Sequence, residues 1–348
     1  GSSAGCLSQW GVIKTPSSIC YISEKEGIVY ELGEHLTPIS SNGMATWFAN
    51  HLPFETENVD LPSSSTGFIM GYDAKNARLL ITKKDYKLFS NLEEVGWTLS
   101  YNFKTKTWTS FHSYLPNMYI YDSANFYSWV KGENIELWKH NIQGSYQTFY
   151  GTYYPHIIEY TTKTENLKTE LWDSIHFYTE GTKHSTETIE GMTIDTSYTD
   201  KYATFTNVIL YNSKQCSGVL NLIPKDIMSG DYFDSYNNIL LNPLNAFLDK
   251  NEQDWNLNNF RDLVDTTNIP LWVNNKILND RWMTQNNMNG YIDKSLHPGV
   301  ISLTKSWFNQ EPFRDKYLIQ RFILNNAEQS DLKLVTNFLI NKNTSSNE

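Results

Sequence analysis

Short apolar runs arrive roughly every ten residues from Ser18 to Lys139, and nothing between them has the length or period of a helix. A chain punctuated this closely is expected to fold as an all-β sandwich, barrel or propeller. Strands are predicted over 18–23 and 27–32, joined through Glu24-Lys25-Glu26, with 36–40 as a third. Residues 67–72 and 77–82 flank a polar turn at 73–76 and read as a hairpin; 97–102 and 107–112 do the same around 103–106. Three more strands, 117–121, 125–130 and 134–139, complete the series, with Lys131-Gly132-Glu133 as the last turn.

A weak repeat chooses among these architectures. Three units, near 10–40, 67–112 and 117–140, share one order: strand, turn with Gly or Asn, aromatic-rich strand. Propeller blades run about 40–50 residues, and a propeller needs at least four. The predicted fold class is therefore mainly β, a partial β-propeller over 1–145 whose remaining blades come from an upstream part of a longer parent chain. The chain begins at Gly1 instead of Met, which also reads as a fragment. The signatures of the commonest propellers are absent: Trp172-Asp173 occurs once, without a repeated Gly-His partner, and no Gly-Gly pair exists.

Beyond the blades, 146–228 reads as a β-rich extension, with strands over 148–154, 156–162, 171–179, 202–211 and 218–223. Residues 229–312 are Asn-dense and poorly periodic. They are expected to be a loop-rich, interface-forming segment with short helices at 243–248 and 259–264. Residues 313–340 read as a terminal β-hairpin that would close the propeller, and 341–348 as a disordered tail.

Charge and cysteine content narrow the function classes. With net charge −10 and Lys83-Lys84 as the one adjacent basic pair, which reads as a solvated strand end, binding to a nucleic-acid backbone by bulk charge is disfavoured. Cys6, Cys20 and Cys216 form no CxxC pair and no even framework, so they read as three reduced, buried thiols. No apolar stretch approaches the roughly 18 residues of a membrane helix, and no signal peptide or membrane anchor is read.

The search for chemistry nominates no catalytic, cofactor-binding or metal residue. No nucleophile elbow, phosphate loop, dinucleotide fingerprint or HExxH is present. His112 beside Ser113 is weighed as a base next to a hydroxyl, but neighbours on a strand point to opposite faces. A ring satisfying a loop carbonyl at a blade corner fits better. The run from Asp249 to Asp254 alternates acidic and amide residues, yet a calcium loop would want Gly and Glu where Asp254 and Phe260 stand; a solvated turn is the better reading. Trp97, Trp108, Trp129 and Trp138 are weighed as a stacking platform and assigned to blade packing, since each occupies a repeating strand position.

The residues from Gln9-Trp10-Gly11-Val12-Ile13 through Ile28-Val29-Tyr30-Glu31-Leu32 to Gly43-Met44 resemble a propeller blade of tail nozzle (tail tubular) proteins of short-tailed phages. The stretch Thr98-Leu99-Ser100-Tyr101-Asn102 to Leu115-Pro116-Asn117 is similar to the corresponding muzzle proteins of crAss-like phages, and Phe313-Arg314-Asp315-Lys316-Tyr317 is similar in style. This resemblance covers 1–145 and 313–340. It implies a non-enzymatic structural subunit of the virion tail without cofactors. It also implies a homo-hexameric nozzle ring at the distal end, contacts with ring, portal-adaptor and distal tail proteins, and transient passage of DNA and ejected proteins without specific binding. A receptor- or carbohydrate-binding propeller is the alternative, and a glycan-degrading enzyme ranks last because no carboxylate pair can be nominated.

Overall fold

The structure, a computed structural model, describes residues 5–52, 67–84, 96–131, 136–142, 147–164, 168–189, 192–212, 214–224, 245–251, 254–263, 310–325 and 330–342. The protein is mainly β and divides into two units: Gly1–Ser145 with Phe149–Thr152, and Tyr146–Thr148 with Tyr153–Glu348.

The described residues of unit 1 form three antiparallel sheets. The first runs β1 (Val12–Lys14), β2 (Ile19–Ser23), β3 (Ile28–Leu32), β4 (Leu36–Pro38) in chain order. The second runs β5 (Phe68–Asp73), β6 (Arg78–Lys83), β7 (Trp97–Asn102), β8 (Thr107–His112). The third has β10 (Phe126–Val130) between β9 (Met118–Tyr121) and β11 (Glu136–Lys139). The strand signals hold to within one or two residues because each has an apolar core side and a local turn. Three hairpins share one turn geometry: Ser23 pairs with Ile28, Asp73 with Arg78 and Asn102 with Thr107 across four-residue turns. In each, the last turn residue (Gly27, Ala77 or Lys106) is left-handed. The Asn102 carboxamide fixes its turn by accepting from the Lys104 and Thr105 amides.

Strand alternation gives the second sheet two buried faces. Phe68, Met70, Leu79, Ile81, Trp97, Leu99 and Tyr101 pack with Ile13, Cys20, Ile22 and Val29 of the first sheet. Ile69 and Leu80 pack with Tyr114, and with Tyr119 and Phe126 of the third. A short helix, α1 (Ala45–His51), joins the first two sheets and was not expected. Two turns are too short to show a period, but Phe48 from it is fully buried and Trp47 meets Trp97 edge-on at 5.0 Å. Gly27 admits α1: besides its positive φ, an added Cβ would lie 2.9 Å from the Ala49 Cα. Lys83 and Lys84 are not a solvated strand end. Lys83 is buried with its ammonium 5.0 Å from the Phe68 ring centre, and Lys84 Nζ donates to Asn117 Oδ1 at 2.8 Å.

A two-stranded ribbon, β12 (Thr148–Phe149) with β13 (Thr152–Tyr153), precedes the large sheet. Unit 2 is built from β14 (His156–Lys163), β15 (Glu170–Ile189), β16 (Met192–Asp200), β17 (Asn207–Tyr211), β18 (Cys216–Pro224), β19 (Asn245–Asn251), β20 (Asp254–Asn258), β21 (Phe313–Asp315), β22 (Tyr317–Leu324) and β23 (Ser330–Lys342). The order is β14-β22-β17-β18-β19-β20-β15-β16, with β21 and β23 also on β15; the β18–β19 pair is parallel. In a flat sheet β22 and β15, five strand intervals apart, would be separated by about 24 Å. Yet the Phe177 and Phe322 ring centres are 4.9 Å apart. The sheet therefore curls into a half-barrel around its own core of Trp172, Ile175, Phe177, Val208, Leu220 and Phe322 among others. Trp172 and Ile175 share that core despite opposite parity, because a register shift between Trp172 and Ser174 reverses the alternation.

Four expectations fail here. The last two strands are not a hairpin: both edges of β22 are taken, by β14 and β17, so β23 pairs with β15. They lie in the large sheet of unit 2, and Asn341 and Lys342, assigned to a disordered tail, end β23. Residues 243–248 were expected to be helical, but the described part is strand β19, where Ala246 and Leu248 alternate into the core. Residues 259–263, expected to be helical, form neither helix nor strand; Asn259 has a positive φ, and Phe260 and Leu263 fill the same core. Most of 229–312 and residues 343–348 lie outside the described residues, as does the turn at 252–253 within the Asp249–Asp254 run, which forms the β19–β20 hairpin.

Candidate functional site

The densest polar chemistry in unit 1 lies where the second sheet meets the third. Thr98 Oγ1 donates to the Tyr114 carbonyl at 2.6 Å. Its single proton is thereby used, so Thr82 Oγ1, 2.8 Å away, donates to Thr98, and the Tyr119 hydroxyl donates to Thr82 at 2.7 Å. The directions are fixed by proton count, and the relay Tyr119–Thr82–Thr98–Tyr114 is satisfied along its length. Burial raises the pKa of both tyrosines well above the ordinary phenol value.

Beside it lies a cleft of about 180 Å³ lined by Asp73, Lys75, Asp122, Asn125, His140 and Asn141, with Ala74, Ala124, Phe126 and Lys139. Asp73 Oδ2 accepts from Asn76 Nδ2 at 2.7 Å, Arg78 Nη2 at 2.9 Å and Asn141 Nδ2 at 3.2 Å. Burial alone would raise its pKa. The Asn76 and Arg78 hydrogen bonds, the Arg78 charge and Asn141 outweigh that and hold the carboxyl below its usual range. Asp122 is exposed and caps its own turn, accepting from the Ala124 amide at 2.6 Å and the Asn125 amide at 2.7 Å, which also lowers its pKa. His140 Nε2 lies 2.6 Å from Ser128 Oγ, which is 2.7 Å from the Tyr150 hydroxyl. Burial above all pushes the imidazole pKa down to about 4.

General acid–base work at neutral pH needs a group that titrates there. In this cleft the carboxylates are ionised and engaged in turns, and the imidazole is neutral. The arrangement joins sheets: Asp73 ties the β5–β6 turn to Asn141 after β11. A pH dependence follows. The ordinary His pKa of 6.5 lies above the folded value of about 4, so the unfolded chain binds the extra proton. The stabilisation is complete above pH 6.5 and is lost as pH falls toward 4, by on the order of 3 kcal/mol. Thermal unfolding of unit 1 at pH 7 and pH 4.5 should show this loss, and His140→Gln should flatten it; an unchanged pH slope in the variant would refute the assignment.

The other residues weighed from the sequence are dispersed. His112 ends β8, half-buried, with its ring 5.1 Å from that of Tyr114. Trp97 is core, and Trp108 packs on Phe48 at 4.6 Å and donates its indole N–H to the Ile39 carbonyl at 3.0 Å. Trp129 and Trp138 are half-buried, the latter edge-on to Tyr150 at 5.6 Å. Cys20 and Cys216 are buried and outside any disulfide, while Cys6 is only half-buried; burial pushes the Cys20 thiol up to about 12. Among the described residues no cluster of His, Cys, Asp and Glu has the makings of a metal site.

The sequence reading missed a second polar centre, in unit 2. Glu159 and Arg321 face each other across β14 and β22, and Arg321 Nε donates to Glu159 Oε2. The Tyr211 hydroxyl donates to the same oxygen at 2.7 Å, and the guanidinium sits 5.8 Å from the Tyr211 ring centre. Its only sequence trace is a charged residue inside an apolar run, Gln320-Arg321-Phe322.

Fold and polar centres together define a mainly β scaffold whose described buried polar groups fasten strands to one another. Comparison with known proteins bears out the resemblance read from the sequence. The family described as Crassvirus muzzle protein matches residues 1–132. The muzzle protein of Bacteroides phage crAss001 is 24% identical over 179 residues, which is 50% of this chain and 12% of that protein. The match thus spans about an eighth of the relative's length.

Proposed function

We propose that this chain is a non-enzymatic structural part of a crAss-like phage tail. It would contribute to the nozzle or muzzle ring at the distal end, through which DNA and any ejected proteins leave the virion. The observation that carries the reading is the muzzle-family match over 1–132, which falls on the stacked sheets of unit 1. Four-stranded antiparallel meanders lying face to face are what adjacent propeller blades look like. In this reading the three sheets are an arc of a β-propeller, completed by an upstream part of the parent polypeptide. Ring and portal-adaptor proteins and distal tail components are its neighbours, and a homo-hexamer supplies the channel. The net charge of −10 suits such a lining, since an acidic wall repels the phosphate backbone and lets DNA slide.

Mass spectrometry of purified particles, followed by imaging of the tail at a resolution that traces strands, tests this. The expected result is the chain at the distal end in six copies around a channel. Absence from particles, or a location in the capsid shell, would refute it.

A further inference from the structure

In unit 1 chain order is stacking order: the first sheet packs on the second, the second on the third. The second sheet packs on both faces, against the first sheet through Phe68, Met70, Leu79, Ile81 and Leu99 and against the third through Ile69 and Leu80. Among the described residues of unit 1, the first sheet is covered on one face. Its inward face carries Ile13, Cys20, Ile22 and Val29. The cross-strand register puts Val12, Ile19, Tyr21, Tyr30, Leu32 and Leu36 on the other. There Val12 is 44%, Ile19 40%, Leu32 45% and Leu36 46% exposed. Tyr21 and Tyr30 stack across this face at 5.3 Å.

A sheet with one solvated face alternates apolar-in with polar-out. This one does not: Lys14 is the one charged residue at the outward register positions of β1 to β4. Singly scattered apolar side chains on a surface are ordinary, but a contiguous apolar face marks an interaction site. The structure also displays what covers such a face, because the second sheet covers its inner counterpart.

We propose that the outward face of the first sheet seats a further antiparallel β-sheet supplied by the same parent polypeptide, from residues preceding this chain. Three observations select that occupant. Consecutive sheets here are spatial neighbours, so the preceding sheet belongs on this face. The leading segment is fastened to this sheet, with the Leu7 and Ser8 amides donating to the buried Glu24 carboxylate at 2.9 and 3.0 Å. The crAss001 relative has most of its length outside the matched part. The proposal rests on the blade reading of unit 1 given above, and not on the tail location.

The test uses the full-length parent polypeptide with Leu32→Cys or Leu36→Cys, two outward positions whose replacement leaves the inner core intact. Lys104→Cys, in the exposed β7–β8 turn, is the reference. Maleimide labelling at the two outward positions should be roughly a hundredfold slower than at the reference, because it waits on opening of the covering sheet. A photo-crosslinker on the same thiols should couple to residues upstream of this chain in the same polypeptide. Labelling as fast as the reference overturns the docking face, and crosslinks to a second copy or another protein overturn the occupant. Absence of the chain from particles would sink the tail reading and leave both of these readouts unchanged.

Discussion

Replacing Gly71 by valine is expected to loosen unit 1 by about 3 kcal/mol. Gly71 lies on β5 opposite Leu80, on the face turned to the third sheet. A Cβ there would stand 2.6 Å from Cγ of Tyr119 and 2.8 Å from its Cβ and Cδ2. Those atoms sit near the base of the side chain, so no rotamer change clears them without moving β9. Tyr119 is also held at its far end by the Thr82 relay, so displacing it breaks a buried hydrogen bond as well as the packing. Gly33→Ala is the control, since an added Cβ there meets only the Ser18 Cβ at 4.0 Å, and it should stay within about 0.5 kcal/mol of the parent. Amide exchange of β5, β6 and β9 reads the result separately from unit 2. Protection should fall roughly a hundredfold for Gly71→Val, and an unchanged pattern would show that the two sheets are not packed as described.

Gly71 also marks the limit of what the sequence made legible. The hairpins 67–82 and 97–112 were readable because each strand has a periodic core side and each turn its own local chemistry. The glycine itself looked like any other strand residue, because its reason lies on a strand nearly fifty positions away. Long-range pairing stayed out of reach for the same reason. Nothing local tells β23 to pass over β22 in favour of β15; that follows only once β14 and β17 occupy both edges of β22. The parity reversal near Asp173 is likewise invisible to an alternation rule. In the polar joint, Asp73 was read merely as a turn residue. Its partner Asn141 is distant in sequence and has a positive φ that no pattern announced. Lys83-Lys84 misled because charge was equated with solvent, whereas the Lys83 ammonium lies over the Phe68 ring and the Lys84 ammonium donates to the Asn117 carboxamide oxygen.

The Glu159–Arg321 pair gives the second large effect, and its size depends on which partner is removed. The Arg321 side chain is 5% exposed and that of Glu159 31%. Glu159→Leu leaves a guanidinium buried on a central strand without its carboxylate, and strips the Tyr211 hydroxyl of its acceptor, so about 3–5 kcal/mol of unit 2 stability should be lost. Arg321→Met is milder, because the carboxylate left behind lies at the solvent edge and can hydrate; about 1–2 kcal/mol is expected. The double variant Glu159→Leu with Arg321→Met removes both charges, and it should recover most of the loss of the first single variant. Exchange protection of β17, β18 and β22 reads the three variants, and 1 M salt should not rescue Glu159→Leu, since screening acts weakly on a buried charge. Equal losses for the two single variants, or a double variant as unstable as Glu159→Leu, would mean that packing around β22, and not the uncompensated charge, sets the cost.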